Sequence, residues 1–318
     1  MFLTQFKING LAMVQIFVMA GLGYALVKKN VLSYEGLNAL SRLLIQAVFP
    51  ALIFSHMLRG FSFRLYPDWW IFPLSSMAIA VTGLAVGWVL LKLSGLKTNK
   101  LQFLSLVAFQ NSGYLPLAIA AALFTGEQAE GMFIFIILFL LGFDLVFWSL
   151  GNFLLTYRKD VKFRPGSIFS PPVIANLTSL VLVFLGWNRF IPDVLFKPIT
   201  MVGDCTLPLA MIIVGGNIAM VRLKDLQRKA IFFSFLGKMV ILPVLGLILV
   251  LKLSLPYLLG FLIVMQLAMP SATSLSVVIS RFDIEDALIS QGVCFNHLAG
   301  LFTIPLFLSI YLYLVMLK

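Results

Sequence analysis

Charge is scarce in this sequence. Asp, Glu, Lys and Arg make up 11% of its 318 residues against 61% hydrophobic residues, so no water-soluble fold has enough polar surface to cover the apolar remainder. Cysteine is almost absent too: Cys205 and Cys294 both fall inside apolar stretches, where they read as small hydrophobes and say little about redox compartment. Metal-ligand spacings, a phosphate-binding glycine loop and a nucleophile motif are all missing from the sequence. That speaks against an ATP-driven pump, a membrane hydrolase or any other enzyme, and leaves no metal and no cofactor beyond a coupling H+ or Na+.

What is present is a series of apolar stretches, each near the roughly 20 residues needed to cross a hydrocarbon core. They fall at 8–27, 37–57, 69–93, 101–124 and 131–155, and then at 172–187, 198–220, 231–252, 256–280 and 287–316. Ten transmembrane helices in an all-α membrane protein are expected, with only short connections between them. A polar loop containing Arg158, Lys159, Lys162 and Arg164 splits the chain almost in half. The expected division is therefore residues 1–156, a cytoplasmic linker at 157–171, and residues 172–318. No small-residue cleavage site clearly follows the first apolar stretch, so Met1 to Lys28 reads as a retained span rather than a signal peptide.

The net charge of +11 comes from Lys and Arg residues in the loops between spans, not from one basic face, so it reports topology and not nucleic acid. Alternate loops, the first, third, fifth, seventh and ninth, hold 14 basic residues, and the opposite side holds 7. Basic loops stay cytoplasmic, which puts both termini outside. A unit of five spans that is followed by a second such unit must insert it upside down.

Corresponding landmarks in the two halves fit an inverted repeat. The second span carries Gln46 four residues before Pro50, and the seventh carries Asp204 four residues before Pro208. The fourth is interrupted by Gln110, Asn111, Ser112, Gly113 and Pro116, and the ninth by Gln266, Pro270, Ser271, Thr273 and Ser274. Proline has no amide hydrogen, so Pro116 frees the carbonyl of Ser112 and Pro270 frees that of Gln266. Unpaired backbone at bilayer depth is tolerated only where protein or a water-lined cavity satisfies it. Two discontinuous helices meeting at a midplane site are therefore expected, with helix N-termini offering amide groups to an anion such as a carboxylate. Asn111, Ser112, Ser271, Thr273 and Ser274 add hydrogen-bonding groups there, and Gly113 permits close approach to the main chain. The plainer alternative is a pair of kinked helices whose Ser and Thr hydroxyls bond their own carbonyls.

Ionisable residues inside spans are expensive, and Asp144, Asp204, Lys238 and His297 are the candidates. Asp204 has its own carbonyl freed by Pro208, a pairing suited to a proton or cation, while Asp144 and His297 lie in the equivalent fifth and tenth spans. Each also reads as a structural polar residue, and Lys238 as a side chain that snorkels or pairs structurally.

Several strings resemble bacterial members of the auxin efflux carrier family: NSGYLPLA at 111–118, TLPLAMIIVGG at 206–216, KMVILP at 238–243, AMPSATSLSVVISRF at 268–282 and LFTIPL at 301–306. The resemblance implies two inverted five-helix repeats whose fourth and ninth helices are broken and cross at the substrate site. It implies carriage of a small organic anion across the bacterial cytoplasmic (inner) membrane by an elevator movement. The third to fifth and eighth to tenth spans would move against a scaffold made by the remaining four, which also forms a homodimer contact. Asn111 matches the family's crossover asparagine; the ninth span has Pro270 and Ser271 without a second asparagine beside them, which departs from the plant pattern. The expected partners are the organic anion, the lipid bilayer and a second copy of the chain, with no nucleic acid. The alternatives weighed are a membrane ligand sensor, for which a signalling domain or long cytoplasmic tail is missing, and a passive channel, for which a continuous polar stripe is missing.

Overall fold

The structure, a computed structural model, describes residues 2–157, 168–221, 224–281 and 287–316. Most of the expected linker, with Arg158, Lys159, Lys162 and Arg164, lies outside the described residues, as do Arg222 and Lys318.

Regular structure among the described residues is helical, apart from one isolated antiparallel bridge between Gln110 and Ser271. In the first half the helices are α1 (Phe2–Lys28), α2 (Tyr34–Leu43), α3 (Phe49–Gly60), α4 (Ile71–Ser94), α5 (Lys100–Ala108), α6 (Tyr114–Leu123), α7 (Gly126–Val146) and α8 (Asn152–Thr156). The second half contributes α9 (Pro171–Phe184), α10 (Asp193–Asp204), α11 (Thr206–Met220), α12 (Arg228–Phe235), α13 (Leu242–Leu253), α14 (Tyr257–Ala268), α15 (Ser274–Arg281) and α16 (Ala287–Met316). Wide π turns at Leu44–Val48, Phe147–Gly151 and Leu236–Ile241 join α2 to α3, α7 to α8 and α12 to α13 without ending the helical rod.

Seven of these rods among the described residues are long and apolar enough to cross a membrane, and Tyr114–Leu123, Pro171–Phe184 and Tyr257–Ala268 are shorter apolar helices. Helices are the form such a chain must take, because in lipid every backbone amide and carbonyl has to be satisfied within its own segment. The outer surface agrees with lipid as solvent. Along α1, Leu11, Val14, Val18 and Leu22 recur at helical spacing and all are exposed, whereas Ala12, Met13, Ile16 and Ala20 are buried. In water such an apolar stripe would drive aggregation; in a bilayer it is the expected face.

Helix pairings of the first half recur in the second. α1 lies along α11 and α9 along α3; α4 packs on α7 as α12 packs on α16; α4 packs on α5 as α13 packs on α14. The tightest approach joins α1 to α11, where a side chain on Gly215 would run into the backbone of Ala20, and one on Gly23 into that of Ile212. Small residues let the two backbones touch, which is how helices gain packing energy where lipid removes the hydrophobic drive.

Candidate functional site

The centre of the molecule is built from two stretches that leave the helical path. α5 ends at Ala108 and Phe109 turns extended; α14 ends at Ala268 and Met269 does the same. The stretches 109–113 and 269–273 then run side by side in opposite directions. The Asn111 amide donates to the carbonyl of Pro270 at 2.8 Å, and the Ala272 amide donates to the carbonyl of Phe109 at 2.9 Å. Each break thus satisfies the other's backbone, as buried peptide groups require.

Side chains complete the accounting. Pro116 leaves the Ser112 carbonyl without a helical donor, and the Gln266 side-chain amide donates to it at 3.0 Å. The Gln266 carbonyl, expected to be free because of Pro270, instead accepts from the Met269 amide at 3.4 Å, closing the end of α14. The Ser271 hydroxyl donates to the Leu106 carbonyl at 2.6 Å and accepts from Asn296 Nδ2 at 2.7 Å, which also donates to the Ser234 hydroxyl at 3.2 Å. Lys238 is fully buried, its Nζ donating to Gln110 Oε1 at 3.4 Å, so of the two expectations for it the structure takes pairing and not snorkelling. Asn111 Nδ2 lies 3.4 Å from His297 Nε2, and His297 Nδ1 lies 2.8 Å from the Val293 carbonyl.

Beside this crossing is a narrow cavity of about 60 Å³, lined among others by Asn111, Ser112, Gly113, Asp144, Thr273 and Ser274. Two helices start at its wall. Gly113 precedes α6 and gives it no side-chain cap, and neither α6 nor α15 has an acidic residue in its first turn. Amide hydrogens at such starts carry partial positive charge and suit an anion. The Asp144 carboxylate, from α7, is the acid in the wall, and it makes no hydrogen bond or ion pair with the described residues. Aromatic rings, among them Phe49 packed on Tyr114 at 5.0 Å between centroids, close the apolar side.

A family model for membrane transport proteins, that of the auxin efflux carriers, matches residues 11–164 and 161–308 of this chain. The chain belongs to the auxin efflux carrier family. Within that family's reach, the chain is 24% identical to an uncharacterised transporter of Methanothermobacter thermautotrophicus over 92% of its own length and 94% of the relative's. It is 29% identical to an uncharacterised transporter of Schizosaccharomyces pombe over 35% of its length, a stretch that spans 25% of that protein. It is an integral membrane transporter.

In this family member the candidate residues read from sequence separate into three groups. Asn111, Ser112, Gly113, Thr273 and Ser274 line the cavity together with Asp144. Pro116, Pro270, Ser271 and Gln266 are not in its wall; they shape and hold the crossing, and His297 stands behind Asn111. The remainder lie elsewhere. Gln46 is exposed in the π turn that precedes Pro50 in α3. Pro208 follows in the first turn of α11, and Asp204 is exposed at the end of α10. Asp204 lines a different cavity, of about 220 Å³, with His56, Arg59 and Glu130. Arg59 is held there by Asp193 at 2.7 Å and by the ring of Phe196 at 3.8 Å.

Two participants escaped the sequence reading. Asn296 ties Ser271 to Ser234, and the signal for it is a polar pair, Asn296 and His297, in a mostly apolar helix. His56, an ionisable group in the second span, lines the cavity that Asp204 faces.

Proposed function

We propose that this transporter carries a small organic anion, a mono- or dicarboxylate, whose carboxylate group sits at the crossing of 109–113 and 269–273. The observation that carries this reading is the convergence of two acid-free helix starts, α6 and α15, on one cavity that also contains Asn111, Ser112 and Thr273. Main-chain amides and hydroxyls are donors of the kind that bind a carboxylate, the Asn111 carboxamide can turn its NH2 group to it, and groups already in place lose little entropy on binding.

Counting α5 with α6, and α14 with α15, as single interrupted spans gives ten crossings in two inverted five-helix repeats. The recurring helix pairings support it. On this reading the broken spans travel with their neighbours in an elevator movement against a scaffold of α1, α2–α3, α9 and α10–α11, in a homodimer in the bacterial inner membrane with both termini outside. The close α1–α11 contact suits a scaffold that does not move internally.

Transport is secondary or facilitative. In the secondary case a cation, H+ or Na+, enters with the substrate, because an ionised Asp144 beside the bound anion would repel it. Asp144 takes this coupling role in preference to Asp204, which faces the other cavity. Membership of a transporter family favours carriage over ligand sensing. The test is binding to the purified protein in lipid nanodiscs: acetate, lactate, succinate and malate are screened by thermal shift. At least one raises the melting temperature of the wild type, and Asn111→Ala loses the shift while keeping the ligand-free melting point; no shift from any of the four refutes the reading.

A further inference from the structure

Neutral histidine has one donor nitrogen and one acceptor nitrogen, and the partners decide which is which. His297 Nδ1 faces the Val293 carbonyl at 2.8 Å; a carbonyl only accepts, so Nδ1 carries the hydrogen. Nε2 is then a bare acceptor, and Asn111 meets it with its amide nitrogen at 3.4 Å. The Asn111 oxygen has no hydrogen bond with the described residues and is left to the cavity that Asn111 lines. In this arrangement the cavity is offered an acceptor, which repels a carboxylate.

We infer that His297 sets the polarity of Asn111: a proton on Nε2 turns the carboxamide over, so that its oxygen accepts from the imidazolium and its NH2 group donates to the bound anion. This deepens the carboxylate reading above and rests on it. The proton balance is simple. His297 keeps the hydrogen on Nδ1 and gains one on Nε2 from the aqueous phase, one per anion bound; no covalent bond is made or broken elsewhere. His297 is a positioning residue that acts through Asn111, and both are buried at 2% and 4% exposure, so neither can trade its partner for bulk water.

The charged groups around the pair favour this order of events. Lys238, on the π turn packed against α16, donates to Gln110, the residue before Asn111. Asp144, on α7, lies in the cavity wall. On other elements that pack against α16, Lys7 and Lys28 of α1, Lys100 of α5, Arg228 and Lys229 of α12 and Lys252 of α13 all stand within two turns of a helix end. An imidazolium here adds to the positive charge of Lys238, which is linked to the pair through Gln110, and a bound anion is what offsets the two together. Proton and carboxylate each make the site better for the other, and the coupling is reciprocal.

The test uses the wild-type protein in nanodiscs, labelled with ¹⁵N-histidine. Its two histidines, His56 and His297, are assigned with His56→Gln. Without anion, His297 gives one protonated nitrogen, Nδ1, and one bare nitrogen, Nε2. Saturation with succinate at mildly acidic pH makes both nitrogens protonated, and calorimetric titration of a second, anion-free sample in buffers of different ionisation enthalpy reads the total proton uptake on binding. The His297 proton by itself makes affinity rise by up to about tenfold per unit fall in pH, the slope of one linked proton. In His297→Gln the share of that uptake owed to residue 297 disappears while succinate still binds. A His297 that stays neutral when succinate is saturating, or an Nε2–H tautomer in the free protein, overturns the inference and leaves the anion reading standing. No succinate binding at any pH, with acetate, lactate and malate equally inert, fells the anion reading and this inference with it.

Discussion

Gln266 donates its side-chain amide to the main-chain carbonyl of Ser112 at 3.0 Å, across 154 positions of sequence. That carbonyl is the one Pro116 cannot reach as a donor, so the second broken stretch supplies what the first lacks. Replacing Gln266 by Leu strands a buried carbonyl, which costs about 1–3 kcal/mol. Gln266→Leu is expected to lower the melting temperature, and Pro116→Ala in the same chain, which restores an amide donor, to recover part of the loss. A double-mutant cycle by thermal denaturation in nanodiscs measures it; strictly additive effects would separate the two residues.

Lys238 makes its hydrogen bond to Gln110 without a carboxylate partner among the described residues. A buried ammonium is a weak contributor to stability, and an apolar residue of similar volume is often neutral or better. Lys238→Met is expected to leave the melting temperature at or above wild type and to weaken succinate binding about tenfold, or about 1.4 kcal/mol. Calorimetry decides it, and unchanged affinity with lost stability would make Lys238 purely structural.

Asp144→Asn removes the acid from the cavity wall. Carboxylate affinity near neutral pH is expected to rise about tenfold, the size of one unit of charge repulsion relieved. The gain shrinks as pH falls, because the wild-type carboxyl becomes neutral by taking up a proton and then resembles the amide. Weaker binding by the variant at every pH would make Asp144 a direct ligand.

Gly215 touches the backbone of Ala20, so Gly215→Val is expected to separate α1 from α11 and to abolish the folded species on size-exclusion chromatography. Gly10 has open space around it, and Gly10→Ala is expected to behave as wild type.

The helix ends at Ala108 and Ala268 fall where proline and polar side chains coincide in the sequence: Pro116 with Asn111 and Ser112, Pro270 with Ser271 and Thr273. The three π turns had no such mark: Leu236–Ile241 is apolar apart from Lys238, and its periodicity does not show one extra residue. Nor could sequence choose among acids. Asp144 and Asp204 look alike in an apolar run, and only the packing of α7 and α10 sends one to the crossing and the other to a separate cavity. The Asn296 bridge to Ser271 and Ser234 spans 25 and 62 positions, beyond anything local spacing reports. Lys238 had two readings for the same reason: helical periodicity does not say which face of an apolar helix meets protein.

The most direct test of a carboxylate site at the crossing is uptake of radiolabelled succinate, malate, lactate and acetate into proteoliposomes containing wild type or Asn111→Ala. Saturable wild-type uptake of at least one acid is expected, with the variant reduced to the level of protein-free liposomes. Equal rates for the two proteins would contradict it.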